Sequence, residues 1–386
     1  MKKGLIFGAG GIGRGLLGQI FAQSGLGVVF VDVDRNVVDL LNKRGSYFVK
    51  AISNEKEEAI EISGVRALHA TDEKNIIEEL SKADVIATAV GAENLKYIAG
   101  VTANGLKARF DSGCETPVDV LICENLMHAP SIFRDLVDKQ GILTREQLLQ
   151  VGFVDTSIGR MVPLPTEETK KEDPLLVYAE PYCKIQANKD EIKGATEELD
   201  AVESFSPFEF YKERKLFIHN LGHSVASYRG ALHKLEYIWQ CMENAEIRAC
   251  TQAAMLSSAN AIAKKYSVNN ADLYDHVDDL LNRFNNKPLM DTVTRGCRAP
   301  MRKLAPEDRF IGAVRICESQ AIEYENILES AAAALLYEDS KDASAVAMQD
   351  MISEQGVKRF LEDYCMLPPQ EASSCFLYYE RLRKED

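Results

Sequence analysis

Residues 8–13 read Gly-Ala-Gly-Gly-Ile-Gly, a G-x-G-x-x-G pattern. It lies between a short apolar run (Leu5, Ile6, Phe7) and a segment carrying Leu16, Leu17, Ile20 and Phe21 at helical spacing. In a strand–turn–helix unit each glycine has its own reason. The first makes the tight turn, the second lets backbone approach a pyrophosphate, and the third permits close packing of helix on strand. The helix N-terminus then offers unpaired N–H groups to the anion. A second buried run, Val28 to Val31, leads into Asp32, 19 residues after Gly13. A carboxylate at that strand end takes the ribose hydroxyls of NAD and repels the 2′-phosphate of NADP. NAD is therefore the expected cofactor, held by Gly8, Ala9, Gly10, Gly11, Ile12, Gly13 and Asp32. Asp34 is a weaker rival further from the strand end, and Arg35 is the only nearby feature favouring NADP.

Strand-like runs continue at 84–90, 118–123 and 151–154, separated by helical patterns. Such alternation predicts an α/β fold with a Rossmann-type, doubly wound parallel sheet. Residues 46–64 interrupt it and read as an inserted hairpin. Residues 165–174, PTEETKKEDP, read as a charged loop, followed by a short strand region over 175–185. From about residue 196 helical periodicity dominates, with alanine-rich stretches at 253–254 and 331–334. The expected division is an NAD-binding domain over 1–190 and a mainly helical substrate-binding domain over 191–386.

With 45 Lys and Arg against 59 Asp and Glu, the net charge is −14, so nucleic acid and anionic membranes are poor partners. No apolar run is long enough to span a bilayer, and the run near the N-terminus is too short for a signal peptide. The nine cysteines form no C-x-x-C and no zinc-type cluster, as expected of reduced thiols in the cytoplasm.

Residues 213–223 read Glu-Arg-Lys-Leu-Phe-Ile-His-Asn-Leu-Gly-His. On an ideal α-helix, with Lys215 at zero, His219 lies about 40°, His223 about 80° and Asn220 about 140° round. The four share one broad face, which is polar for a helix beginning a core. His219 and His223 also stand at i, i+4, a zinc-ligand spacing, but no HExxH or partner carboxylate at matching spacing supports metal. Periodicity does not choose between the two histidines.

At these residues the chain resembles the long-chain polyol-specific (mannitol) dehydrogenase family. The likeness rests on FGAGGIGRG at 7–15, TAVG at 88–91, CEN at 123–125, GFVDTSIGRMVP at 152–163, the K-x4-N-x2-H segment, and RAPMRKLAPEDRFI at 298–311. The resemblance implies metal-independent hydride transfer between an alcohol carbon and NAD, and members that include monomers. It implies Lys215 as general base and His223 orienting Lys215 and the substrate hydroxyl. Asn220 and Asn125 would be amide donors to the developing alkoxide, and Val90 would contact the cofactor. A lysine suits such a role when burial and neighbouring positive charge lower its pKa. Amides stabilise an oxyanion without titrating.

Arg298, Arg302, Lys303 and Arg309 form a basic cluster in an acidic chain, interrupted by Pro300. Guanidinium groups grip phosphate bidentately, so the cluster suits the phosphorylated sugar alcohol and ketose phosphate that the resemblance implies, although relatives acting on unphosphorylated polyols carry basic residues here too. Relatives acting on sugar acids or free polyols are longer chains. They stand as the alternative, followed by a non-enzymatic NAD-binding sensor. The segment after Glu180-Pro181-Tyr182 departs from the family's usual aromatic–Trp pattern, which leaves the exact sugar open.

Overall fold

In the computed structural model, which describes residues 2–126, 128–163 and 167–385, the apolar runs of the N-terminal half become parallel strands. Among the described residues the strands are β1 Lys3–Phe7, β2 Gly27–Asp32, β3 Ser46–Ile52, β4 Glu57–Ser63, β5 Val65–His69, β6 Val85–Thr88, β7 Val118–Ile122, β8 Val151–Ile158, β9 Val177–Ala179, β10 Ile185–Asn188 and β11 Val202–Phe205. Eight make one sheet in the order β11-β10-β8-β7-β6-β1-β2-β5. All its pairings are parallel except β10 with β8. Successive side chains of a strand point to opposite faces. Thus Ile6 and Phe30 enter one core with Leu16, Leu17 and Phe21. Phe7 and Val31 enter another with Leu80, Leu106 and Phe133. The sheet is covered on both faces, as doubly wound sheets are.

The register decides where the strands stop. Phe7 is paired with Val31 on one side and Thr88 on the other, and Thr88 with Ile122. Gly8, Ala89 and Cys123 consequently leave the sheet at one carboxyl edge, beside Asp32 at the end of β2, and ligands of open α/β sheets bind at such an edge.

The inserted hairpin is present as β3 and β4, closed by a Ser53 N–H to Lys56 carbonyl bond of 2.8 Å, and β9 joins it alongside β3. Three strands have no counterpart in the sequence reading: β5, β10 and β11. Each is short and at or near a sheet edge, and β11 (VESF) is half-buried along its length, without an apolar run to mark it. Residues 165 and 166 of the charged segment lie outside the described residues, and Glu167–Glu172 is helical where a loop is expected. The chain divides into two units, Met1–Phe208 and Glu209–Asp386. The sheet runs on past residue 190, because β11 belongs to it.

The second unit is helical. The helix Leu221–Leu232 is its centre, with Leu221, Val225, Ala226 and Tyr228 fully buried. Small residues let neighbours come close: a Cβ at Gly222 would overlap the Met255 side chain on the helix Ala245–Tyr266. The alanines of Glu325–Leu335 are likewise buried.

Candidate active site

Gly8 sits at φ +98°, and a Cβ there would overlap the Ala89 carbonyl. A Cβ at Gly13 would overlap the Gly8 carbonyl, so both positions demand glycine. Gly10 differs: nothing lies within 4 Å of where its Cβ would be. That open face beside a helix start fits a pyrophosphate. The Gly8 N–H donates to the Val31 carbonyl (2.8 Å) and the Ala9 N–H to Asp32 Oδ2 (2.6 Å), which ties the loop to the end of β2. Asp34, the rival carboxylate, caps the helix Arg35–Arg44 by accepting from the Asn36 and Val37 N–H groups.

The chain after the loop is not a plain α-helix. Gly13–Gly18 is wound as a π-turn, continued by an α-helix over Gln19–Gln23. Wide turns of this kind leave carbonyls for other donors and recur at functional sites. Here Tyr47 Oη donates to the Arg14 carbonyl (2.7 Å) and Arg160 Nη1 to the Gly15 carbonyl (2.6 Å). Arg14 itself is buried and donates through Nε to the Ala9 carbonyl (2.6 Å). Two buried arginines thus brace the glycine loop. Arg14 and Arg160 stand inside motifs quoted above, but their burial carries no sequence signal.

At the ends of β6 and β7, the Glu124 carboxylate accepts from the Val90 N–H (2.9 Å) and the Gly91 N–H (3.0 Å). Burial raises its pKa, and those two N–H bonds pull it back down. Sequence reasoning passed over Glu124 in favour of its neighbour Asn125, which is exposed at the same strand end.

In the second unit the Lys–Asn segment is also a π-turn, Lys215–Asn220, leading into the helix Leu221–Leu232. With an i→i+5 repeat, Asn220 follows Lys215 by one turn, so the wheel angle of about 140° does not apply. Lys215 and Asn220 are half-buried. The two histidines part company. His219 is buried with its ring 5.8 Å from that of Phe284, and burial, then the charge of Arg283, pushes its pKa well below the usual value. His223 Nε2 lies 2.8 Å from Asp291 Oδ2, and its ring meets Phe284 edge-on. Burial lowers the His223 pKa, against the pull of Asp291. Asp291 is buried and also takes both forks of Arg295, from Nε to Oδ1 and from Nη2 to Oδ2, each at 2.6 Å. These partners hold its carboxyl far below the ordinary carboxylate range. Asp291 was missed in sequence because it is 68 residues from His223. Among the described residues, no group of three or more His, Cys, Asp or Glu is placed to share a metal ion.

The basic cluster splits. Arg298 and Arg302 are exposed, the first just before the short helix Pro300–Lys303 and the second within it. Lys303 is 4% exposed, donates to the Gly296 carbonyl and lies 5.3 Å from the centre of the Tyr228 ring. Burial, then the charges of Arg309 and Arg302, lowers its pKa to about 7. Arg309 is largely buried against Asp308 (2.8 Å) and Ser224 Oγ (3.3 Å).

A glycine loop on a doubly wound sheet, followed by a helical unit carrying a half-buried lysine, an amide and a carboxylate-bound histidine, defines a two-domain Rossmann-type dehydrogenase. The Mannitol dehydrogenase Rossmann domain model matches residues 2–201, and the Mannitol dehydrogenase C-terminal domain model matches 208–364. The chain belongs to the mannitol dehydrogenase family. It is 36% identical over 362 residues to mannitol-1-phosphate 5-dehydrogenase of Caldanaerobacter subterraneus subsp. tengcongensis, covering 93% of this chain and 92% of that one. It is 31% identical to the mannitol-1-phosphate 5-dehydrogenase of Buchnera aphidicola, over 99% of each. Among solved structures, Pseudomonas fluorescens mannitol 2-dehydrogenase, in ternary complex with NAD and D-mannitol, shares the fold with a TM-score of 0.78. It is 16% identical, with 100% of this chain and 92% of that chain covered.

Proposed function

We propose that this chain is an NAD-dependent dehydrogenase interconverting mannitol 1-phosphate and fructose 6-phosphate. The observation that carries the reading is near-full-length similarity to relatives of that activity, together with the Lys215, Asn220 and His223 constellation on one π-turn and the helix it starts. In the first unit, residues 8–13, Asp32 and Val90 hold NAD, which accepts or returns the hydride when bound. Lys215 takes the proton of the substrate hydroxyl. Its half-buried place on the π-turn, one turn before Asn220, supports this. Asn220 in the second unit and Asn125 in the first are the amide donors to the developing alkoxide. His223 orients the reacting hydroxyl, and Arg298, Arg302, Lys303 and Arg309 supply the positive field for the phosphate.

The reading extends to a monomer working in the cytoplasm on a small molecule, without nucleic acid. The net charge of −14 supports the lack of nucleic acid, and nine cysteines outside any disulfide support the reducing compartment; monomer is the default taken from the family. No helix among the described residues is long and apolar enough to cross a membrane. The test is a screen of fructose 6-phosphate, fructose, tagaturonate and fructuronate with NADH and, separately, NADPH, read at the NADH absorbance. Turnover of fructose 6-phosphate with NADH, far above the other pairs, is expected. Preference for a sugar acid would move the chain to a sister activity, and no turnover with any would favour a sensor.

A further inference from the structure

We propose that Asp291 is a positioning residue that fixes the tautomer of His223. It keeps the proton on Nε2, so that Nδ1 is left as a hydrogen-bond acceptor for the substrate hydroxyl. This rests on the reading of His223 as the residue that orients that hydroxyl, and deepens it.

Three observations carry the proposal. First, Asp291 is an ionised acceptor. It is 5% exposed, and both its oxygens are engaged by Arg295, so neither has reason to hold a proton. A carboxylate facing an imidazole at 2.8 Å requires N–H on that nitrogen, which assigns the Nε2–H form. Second, the ring is locked. A Cβ at Gly296 would come within 3.0 Å of His223 Cε1, Phe284 packs on the ring at a centroid distance of 5.5 Å, and the His223 carbonyl is held by Ser227 Oγ. A flipped ring would lose the carboxylate. Third, the backbone around Asp291 is pinned on both sides. The Asp291 carbonyl accepts from the Ile238 N–H (2.9 Å) and the Val293 N–H donates to the Glu236 carbonyl (2.9 Å). Thr292 then caps the helix Val293–Cys297 that carries Arg295.

The charges facing His223 are Asp291, Arg295, Lys303 and the His219 ring. Only Asp291 favours the imidazolium, and burial opposes it, so the imidazole is neutral at pH 7. A neutral ring with one committed N–H has a single remaining function, acceptance at Nδ1. That suits a hydroxyl held in place before reaction: its single proton rests on Nδ1 and turns to the neutral amine of Lys215 as the hydride leaves. Arg295 is thus drawn away from free solvent into a supporting role, through Asp291 rather than on substrate.

The experiment is ¹⁵N NMR of the full chain with ¹⁵N-labelled histidine, the His223 resonances being assigned by their loss in His223→Gln. The native protein at pH 7 is expected to give the Nε2–H pattern for His223. In Asp291→Asn, whose amide must point either its oxygen or its NH₂ at the ring, the pattern shifts toward Nδ1–H. kcat for ketose reduction then falls about 10- to 100-fold, while NADH affinity stays within about twofold. Asp291→Glu, which keeps the carboxylate, recovers the Nε2–H pattern and part of kcat. An Nδ1–H pattern in the native protein overturns the proposal, and that measurement stands even if Asp291→Asn does not fold. So does an unchanged pattern with native kcat in Asp291→Asn. The tautomer is read without substrate, so absence of any dehydrogenase turnover would count against the functional reading alone.

Discussion

Asp32 Oδ2 accepts a hydrogen bond of 2.6 Å from the Ala9 N–H, so the carboxylate proposed to select the cofactor also fastens the loop that holds it. The two roles are separable, because one oxygen faces the loop while Oδ1 accepts from the Asp34 N–H at 2.9 Å. Asp32→Ala is expected to relax discrimination against NADPH and to weaken NADH as well. Asp32→Asn, which keeps an acceptor for Ala9, should relax discrimination with a smaller loss of NADH affinity. Titrating NADH and NADPH by fluorescence checks both. Native protein that uses NADPH as well as NADH would refute the assignment.

Lys215→Ala should lower kcat by about 10²–10⁴-fold or more, since a positioned general base contributes roughly that much. NADH binding should survive, because the glycine loop lies in the other unit. Asn220→Ala and Asn125→Ala should each lose roughly 10²–10³-fold, the usual cost of one oxyanion donor. Near-native turnover in Lys215→Ala would require another proton acceptor.

Glu124 supplies a prediction that the sequence reading does not contain. Its carboxylate holds the Val90 and Gly91 N–H groups together at the edge where the cofactor site is proposed. Glu124→Ala leaves both donors without that acceptor, at a cost of roughly 1–3 kcal/mol for each left buried. The expected result is a KM for NADH raised tenfold or more, with Glu124→Gln intermediate. A KM unchanged in both variants would show that Val90 does not need this support.

Lys303 has a pH signature. Its folded pKa is lowered to about 7, below the unfolded value of about 10.4. Below pH 7 the fold carries a buried cation and bears the full penalty. Between pH 7 and about 10.4 the unfolded chain still binds the proton and the folded chain does not, so stability from this group rises with pH. Lys303→Met removes the dependence. Its advantage in melting temperature over the native protein should be larger at pH 6 than at pH 9. An advantage that does not change with pH would mean that Lys303 is not the buried cation described.

How much of this was legible follows from what each residue needed from its neighbours. Gly8, Gly13 and the place of Asp32 at the end of β2 were readable because a strand–turn–helix–strand motif fixes their spacing, and the apolar runs that became β1, β2, β6, β7 and β8 were readable from their own pattern. β11 was not, since VESF owes its extended form to pairing with β10 rather than to any pattern of its own. The π-turn at Lys215–Asn220 lay out of reach because a helical wheel presumes 3.6 residues per turn. Asp291 and Glu124 act on residues 68 and 34 positions away, and no spacing rule covers such pairs. Lys303 stands in a run of basic residues, and nothing in that run marks it as enclosed against Tyr228.

That enclosure sharpens the expectation for the phosphate. The net charge of −14 repels an anionic substrate at long range, so the phosphate must meet a local positive site. Arg298 and Arg302 are exposed; Lys303 donates to the Gly296 carbonyl, and Arg309 to Asp308 and Ser224. Charge-assisted bonds to phosphate contribute roughly 1.5–3 kcal/mol each, which is one to two powers of ten in affinity. Arg298→Ala and Arg302→Ala should therefore raise KM for fructose 6-phosphate by about 10- to 100-fold. Use of free fructose, already weak, should hardly move, because that substrate has no phosphate to hold. Lys303→Ala and Arg309→Ala should change melting temperature as well, since each removes a partner of the fold itself. Equal losses on fructose and fructose 6-phosphate in all four variants would rule out a phosphate site here and turn the assignment toward an unphosphorylated substrate.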